Sequence, residues 1–214
     1  MSTRFVSTLA PHLVTEYIRS RGYRLSFVEP ASDIASPVSS HADIRFCRLG
    51  LRDSDMVIEA LPGELGTDYP LDVPFNACCT GRFFIHRLDV TSPRLLSASR
   101  ERGMTLVDVK QGYARCSTIP VDENSIITYD RGIAKACIAA GLDVLIVEPG
   151  HVLLPGYDAG FIGGTAGVFE DEIVFAGDLS RHPDFLSIRD FIEARGRRVV
   201  FFDDFPLTDI GSII

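Results

Sequence analysis

The chain has 214 residues, 29 acidic against 21 basic side chains, a formal net charge of −8 and 46% hydrophobic residues. That is enough apolar material for one domain, residues 1–214, with a sizeable core, and it excludes wholesale disorder. The acidic balance excludes nucleic acid as the main partner, because phosphate binding calls for a basic surface.

In chain order, a strand is expected over 4–6, then a helix that starts at Pro11 beside Ser7 and Thr8 and carries the apolar stripe Leu13, Tyr17 and Ile18. Gly22 caps that helix, and a strand runs on to Glu29. Residues 30–40, rich in Pro, Ser and Ala, read as a loop. A hairpin follows over 43–49 and 56–59, and Pro62-Gly63-Glu64-Leu65-Gly66 leaves little room for a helix after it. The next hairpin, 75–79 with 82–88, turns at Thr80-Gly81; a helix from Pro93 and Gly103 lead to a strand ending at Lys110. The hairpin 117–121 with 125–129 precedes a helix from Asp130, Gly141 and a strand ending at Glu148. A glycine-rich lead-in over 161–167 opens the hairpin 168–169 with 173–176. A helix near Pro183 carries Phe185, Ile188, Phe191 and Ile192, and Gly196 and a strand to Asp203 follow it. The strand 207–214 has nothing after it.

These elements form a repeat. Gly22, Gly103, Gly141 and Gly196 each stand between a helix and a buried-type strand, and a charged residue closes each strand seven positions later. The unit is strand–strand–helix–strand, about 40 residues long, as stacked or circular repeats require. The first unit lacks a strand and the last strand lacks a unit. If the two termini pair they complete a fifth unit, and a closed ring leaves few free sheet edges.

Five such units resemble the penteins, the α/β-propeller proteins that include arginine deiminases, amidinotransferases and dimethylarginine hydrolases. The motifs that carry the resemblance are Ser40-His41-Ala42-Asp43, Asp72-Val73-Pro74-Phe75-Asn76-Ala77, Lys110-Gln111-Gly112-Tyr113-Ala114-Arg115-Cys116, Pro155-Gly156-Tyr157-Asp158-Ala159-Gly160 and Thr208-Asp209-Ile210-Gly211-Ser212. In them the chain resembles a short bacterial pentein-like family of unassigned function. The resemblance implies an α/β-propeller with one shortened repeat, closed by the two termini. It also implies a nucleophilic cysteine near the C-terminal end of catalytic members. Here that strand carries Ser212, and the last cysteine is Cys137.

The residues themselves nominate Cys116 as nucleophile, because Lys110 and Arg115 precede it and a nearby cation stabilises a thiolate. His41 is the proton shuttle and Asp43 orients it; two residues apart on a strand, the pair would share a face. His151 is a second candidate for the shuttle. Asp72, Asn76, Asp158 and Asp209, in Gly- or Pro-flanked turns, are candidates to bind an amidine or ammonium group. Glu29, Lys110, Glu148 and Asp203 end equivalent strands and would ring one mouth of a central channel, with Lys110, Glu148 and His151 among the substrate-binding groups. The glycines of 160–167 lack a Gly-Lys-Ser/Thr ending and read as positions of close backbone approach. Two metal-type ligands, His41 and Asp43, do not make a metal site, no cofactor motif occurs, and Gly-x-Ser-x-Gly is absent.

No run nears the ~20 apolar residues of a membrane span, and five cysteines without a Cys-x-x-Cys spacing indicate a reduced, cytosolic setting without a disulfide frame. Two functions fit: a hydrolase or transferase acting on a small guanidino or amino-acid-like substrate in a central pocket, or a non-catalytic binding module for a ligand or protein. Convergence of a cysteine, a histidine and a carboxylate in one concavity separates them.

Overall fold

The structure is a computed structural model that describes residues 2–31, 34 and 38–214. Part of the loop expected over 30–40 lies outside those residues. Strand β1 (Thr3–Ser7) leads to helix α1 (His12–Ser20) and β2 (Arg24–Val28), which pairs with β1 in parallel. One helical turn, α2 (Ala42–Arg45), enters the hairpin β3 (Phe46–Arg48) and β4 (Val57–Glu59). No helix separates this hairpin from β5 (Cys78–Cys79), so the second repeat is the shortened one.

The next three repeats are complete. Strand β5 pairs with β6 (Phe83–His86); α3 (Pro93–Glu101) then crosses to β7 (Thr105–Asp108), parallel to β6. A turn, α4 (Ala114–Ser117), enters β8 (Thr118–Asp122), β9 (Ser125–Thr128), α5 (Arg131–Ala139) and β10 (Asp143–Ile146). A 3-10 turn over Gly163–Thr165 enters β11 (Ala166–Val168), β12 (Glu172–Phe175), α6 (Phe185–Glu193) and β13 (Arg198–Val200). In each unit the first two strands are antiparallel and the third is parallel to the second.

The termini complete the fifth unit. Phe5 and Ile214 exchange both backbone hydrogen bonds, at 2.8 and 3.0 Å, as an antiparallel pair does. The C-terminal segment thus adds to β1 and β2 as β11 adds to β12 and β13, and Ile213 bridges in parallel to Gly167 of β11. It joins through single bridges rather than as the full strand expected over 207–214. The first strands of the units neighbour one another around the axis: β3 lies against β5, β5 against β8 and β8 against β11. Five small sheets, rather than one continuous barrel, make this ring among the described residues.

Local chemistry explains the elements. Gly22, Gly103, Gly141 and Gly196 have φ of 85°, 70°, 93° and 74°, the left-handed conformation that ends a helix at little cost only in glycine. Asp130 caps α5 by accepting from Ile133 N at 2.8 Å. The helices bury Val14 and Ile18, Leu95, Ile133 and Cys137, and Ile188 and Ile192 against the sheets. Leu13, expected on the buried stripe of α1, is 44% exposed, because the helix is rotated so that Val14 faces inward. All five cysteines are free and buried. No helix among the described residues is long and apolar enough to cross a membrane.

His86, at the end of β6, is fully buried, with Nδ1 2.7 Å from Thr91 Oγ1 and Nε2 2.9 Å from Gly112 O. Burial lowers its pKa to about 4, against the partial support of the Gly112 carbonyl. The folded chain therefore binds this proton more weakly than the unfolded chain, whose histidine titrates near about 6.5. Stability is whole above that pH, falls as pH drops towards about 4, and levels off below. The loss expected from His86 is roughly 2–3 kcal/mol at pH 4.5. Urea unfolding at pH 7 and 4.5 checks it: His86→Gln should lose less than the native chain over that interval, and parallel losses would refute the assignment.

Candidate functional site

The short turns that enter the inner strands supply the site. Asp43 precedes β3, Asn76 precedes β5, Cys116 precedes β8, Gly163 and Gly164 precede β11, and Asp209 to Ser212 precede the last segment. A ring places these equivalent positions around one axis, although Asp43 and Ser212 are 169 residues apart. Hydrogen bonds pass through all five repeats. Asp43 N donates to Gly211 O at 3.0 Å, and Asn76 Nδ2 donates to Asp43 O at 3.1 Å. Asn76 Oδ1 accepts from Arg115 N at 2.9 Å and Cys116 N at 3.2 Å. Arg115 Nη1 donates to Gly163 O at 2.9 Å, and Ile210 N and Ser212 N both donate to Gly164 O.

Five groups with proton chemistry meet on this girdle. Cys116 Sγ donates to Asp43 Oδ2 at 3.1 Å and accepts from Asn76 Nδ2 at 3.1 Å. Ser212 Oγ donates to the same Asp43 oxygen at 2.6 Å. His41 Nδ1 lies 3.8 Å from Asp209 Oδ1, and Asp209 also accepts from Phe161 N and Gly211 N. His41 Nδ1 and Asp43 Oδ1 are buried without a hydrogen-bond partner. A cavity of about 90 Å³ opens onto His41, Cys116 and Asp209 and is walled by Tyr113, Tyr157 and Phe161. The hydroxyl of Tyr113 donates to Asp72, which is buried behind it.

The electrostatics are those of an acidic pocket. Burial, then the Asp43 and Asp209 charges, push the Cys116 thiol well above the usual range. Burial also raises Asp209, with His41 opposing and Asp43 adding to the rise, and Asp72 is raised by burial. The cations expected to stabilise a Cys116 thiolate do not face it. Lys110 is exposed, and Arg115 turns away to the carbonyls of Thr118, Gly163 and Ala166. The reason is local: 115 and 116 are consecutive in a helical turn, so their side chains diverge by about 100°.

His41 and Asp43 do not lie on a strand. His41 is the N-cap of α2 and Asp43 sits in its first turn. The donor atoms of His41, Asp43 and Cys116 lie within 4.8 Å of one another, so this trio can ligate a metal ion of borderline softness.

Residues 5–214 match a family of unknown function, DUF6873. The chain belongs to that family. No curated protein matches it. Among solved structures, a dimethylarginine dimethylaminohydrolase adduct with 4-chloro-2-hydroxymethylpyridine aligns with this DUF6873 chain at a TM-score of 0.53 and 12% identity, covering 94% of this chain and 92% of that one. SxtG, an amidinotransferase from Microseira wollei, aligns at 0.53 and 10%, covering 95% and 88%. Agmatine deiminase from C. jejuni aligns at 0.51 and 8%, covering 94% and 87%. The fold of this DUF6873 protein is therefore the pentein fold, shared with guanidino-modifying hydrolases and transferases.

Of the residues expected at the site, His41, Asp43, Asn76, Cys116 and Asp209 come together, with Asp72 one hydrogen bond behind. Lys110, Glu148, His151 and Asp158 do not join them; all four are exposed. Glu29, Lys110, Glu148 and Asp203 follow β2, β7, β10 and β13, which are the outer strands of their sheets, so they ring no channel. His151 instead pairs with Glu148 at 3.7 Å and packs on His182. Asp158 lies between Tyr157 and Ala159, which line the cavity, without lining it. The sequence reading missed Ser212 and Tyr113 as site residues, and it gave Arg115 to the thiol rather than to the carbonyls it binds. Their shared position ahead of an inner strand is the signal that finds them. Ser212 carries a second mark, a φ of 62° that non-glycine residues rarely adopt.

Proposed function

We propose that the cavity binds a small guanidino or amidino cation, amino-acid-like in size, and that Cys116 attacks its central carbon. The observation that carries this reading is a buried thiol, an unpartnered imidazole nitrogen and the buried Asp209 carboxylate on one aromatic-walled cavity, with Asp43 hydrogen-bonded to the thiol behind them. Buried negative charge beside aromatic faces suits a delocalised cation. The same cation offsets the field that keeps Cys116 protonated, so the thiol is activated by its own substrate.

In the step that follows, the thiol proton passes to Asp43 Oδ2 and a bond forms between Sγ and the amidino carbon. His41 delivers a proton to the departing amine, whose bond to carbon breaks. Water, deprotonated by His41, then adds to the same carbon, the carbon–sulfur bond breaks to release a ureido product, and Asp43 returns its proton to the sulfur. Transfer to an amine in place of water makes the reaction a transferase. A reduced, cytosolic setting suits a free thiol nucleophile.

The test combines thiol labelling with turnover. Limiting iodoacetamide and peptide mapping at several pH values should find Cys116 slow in the free protein and faster with agmatine or arginine present. Ammonia or alkylamine release should require Cys116 and vanish in Cys116→Ala, with ligand-induced thermal shifts retained. The second reading, a non-catalytic binding module, draws on the near-complete burial and raised pKa of Cys116. It holds if guanidino ligands shift the melting temperature while the Cys116 labelling rate and amine release stay at background.

A further inference from the structure

A second cavity lies at the other end of the inner strands. The site residues precede those strands, whereas this cavity of about 30 Å³ is lined at their far ends by Arg48, Cys79, Pro120, Val168 and Ile214, together with Arg4. Arg115 lines it too, and its guanidinium, bonded to Thr118, Gly163 and Ala166 carbonyls, stands between it and the girdle above.

Three arginines thus converge on the axis of an acidic protein. Arg4 is 1% exposed, Arg115 6% and Arg48 9%. Arg4 pairs with Asp53 and lies over the rings of Tyr23 and Phe169. Arg48 spends its terminal nitrogens on the carbonyls of Thr3, Arg52, Asp53 and Asp55. Both Arg4 and Arg48 keep a buried Nε–H with no acceptor. A buried cation demands a counter-charge, and a buried N–H demands an acceptor. Carbonyl dipoles meet the second demand at the Nη atoms, and Asp53 meets the first for Arg4, while Arg48 and Arg115 donate to carbonyls rather than to carboxylates. Burial, then the Arg4 charge beside it, lowers Arg48 to about 10, and the Asp53 and Asp55 charges oppose this only in part.

We propose that this cavity binds one small monovalent inorganic anion of the chloride class, held by the Nε–H groups of Arg4 and Arg48. A space of about 30 Å³ suits a single atomic ion better than sulfate, phosphate or an organic carboxylate. One negative charge there offsets the repulsion between the arginines. It also ties β1 to β3, and thereby the closing unit to the shortened one. The proposal does not rest on the chemistry assigned to the opposite cavity.

Crystals equilibrated with sodium bromide, measured at the bromine edge, should show an anomalous peak between Arg4 Nε and Arg48 Nε. In solution, exchanging gluconate for chloride at constant ionic strength should raise the melting temperature saturably, by roughly 2–4 °C, and bromide should act alike. Arg48→Met should abolish the chloride-specific rise. If that variant does not fold, the anomalous map and the anion exchange on the native chain decide the matter. A water without anomalous signal between the two arginines overturns the proposal. So does a melting temperature that follows ionic strength whatever the anion, or a peak that forms only at molar bromide.

Discussion

Removing residues 208–214 should leave no folded domain. The deleted segment carries Ile210, Ile213 and Ile214, which are 3%, 2% and 4% exposed. Each buried isoleucine contributes about 1.5–3 kcal/mol, so the three together reach roughly 5–9 kcal/mol, within the ~5–15 kcal/mol that holds a whole domain. The truncation also removes both hydrogen bonds between Phe5 and Ile214, bares the edge of β1 opposite β2 and leaves Asp43 without the Ser212 hydroxyl. Far-UV circular dichroism and thermal melting read the outcome. Ile138→Ala, at a side chain 55% exposed, serves as the control and should move the melt little. A truncated chain that melts like the full one would mean that the termini do not close the ring.

Gly163→Ala should damage the fold through its backbone contacts alone. A Cβ there would stand 2.6 Å from the Cys116 carbonyl oxygen and from Thr118 N, and closer still to the Arg115 carbonyl oxygen. All three are backbone atoms of the neighbouring repeat, so no rotamer change relieves the contact. Overpacking of this kind costs about 1–3 kcal/mol and more where the surroundings are rigid. Rigidity is expected here, since Gly163 O accepts from Arg115 and the next carbonyl, Gly164 O, accepts from Ile210 N and Ser212 N. A loss of about 3 kcal/mol lowers the melting temperature of a chain this long by roughly 6–12 °C. Gly103→Ala is the comparison: its Cβ would meet nothing within 4 Å, and only the φ of 70° opposes it, at about 1–2 kcal/mol. Equal effects at the two glycines would show that the turn at 163 can move away from α4. Cys116 would then no longer be held against Asp43 by packing.

Both expectations come from the ring, and much of the ring was legible. Capping glycines, strand-length apolar runs and hairpin turns are local signals, and a local signal repeated at a fixed spacing reports the repeat without any tertiary knowledge. The missing helix after Pro62-Gly63 and the need for the last strand to complete the first unit followed from counting elements. The crowding at Gly163 was also legible, because a glycine run without a phosphate-loop ending calls for another reason.

What the sequence determined by itself is therefore the number of units, their order, the shortened repeat and the closure by the termini, together with the candidates His41, Asp43, Asn76, Cys116 and Asp209. Only the tertiary structure decided which strand of each unit faces the axis. Periodicity places equivalent residues at equal radius but does not state the radius. The strand-end charges Lys110 and Glu148 consequently fell on the outer strands, and the turns ahead of the inner strands formed the site. Tertiary structure also decided the state of Cys116. Its nearest cation in sequence, Arg115, points elsewhere, while burial and then carboxylates 73 and 93 positions away, Asp43 and Asp209, push the thiol pKa up. A pKa depends on charges through space and on burial, and neither is written in the order of neighbouring residues.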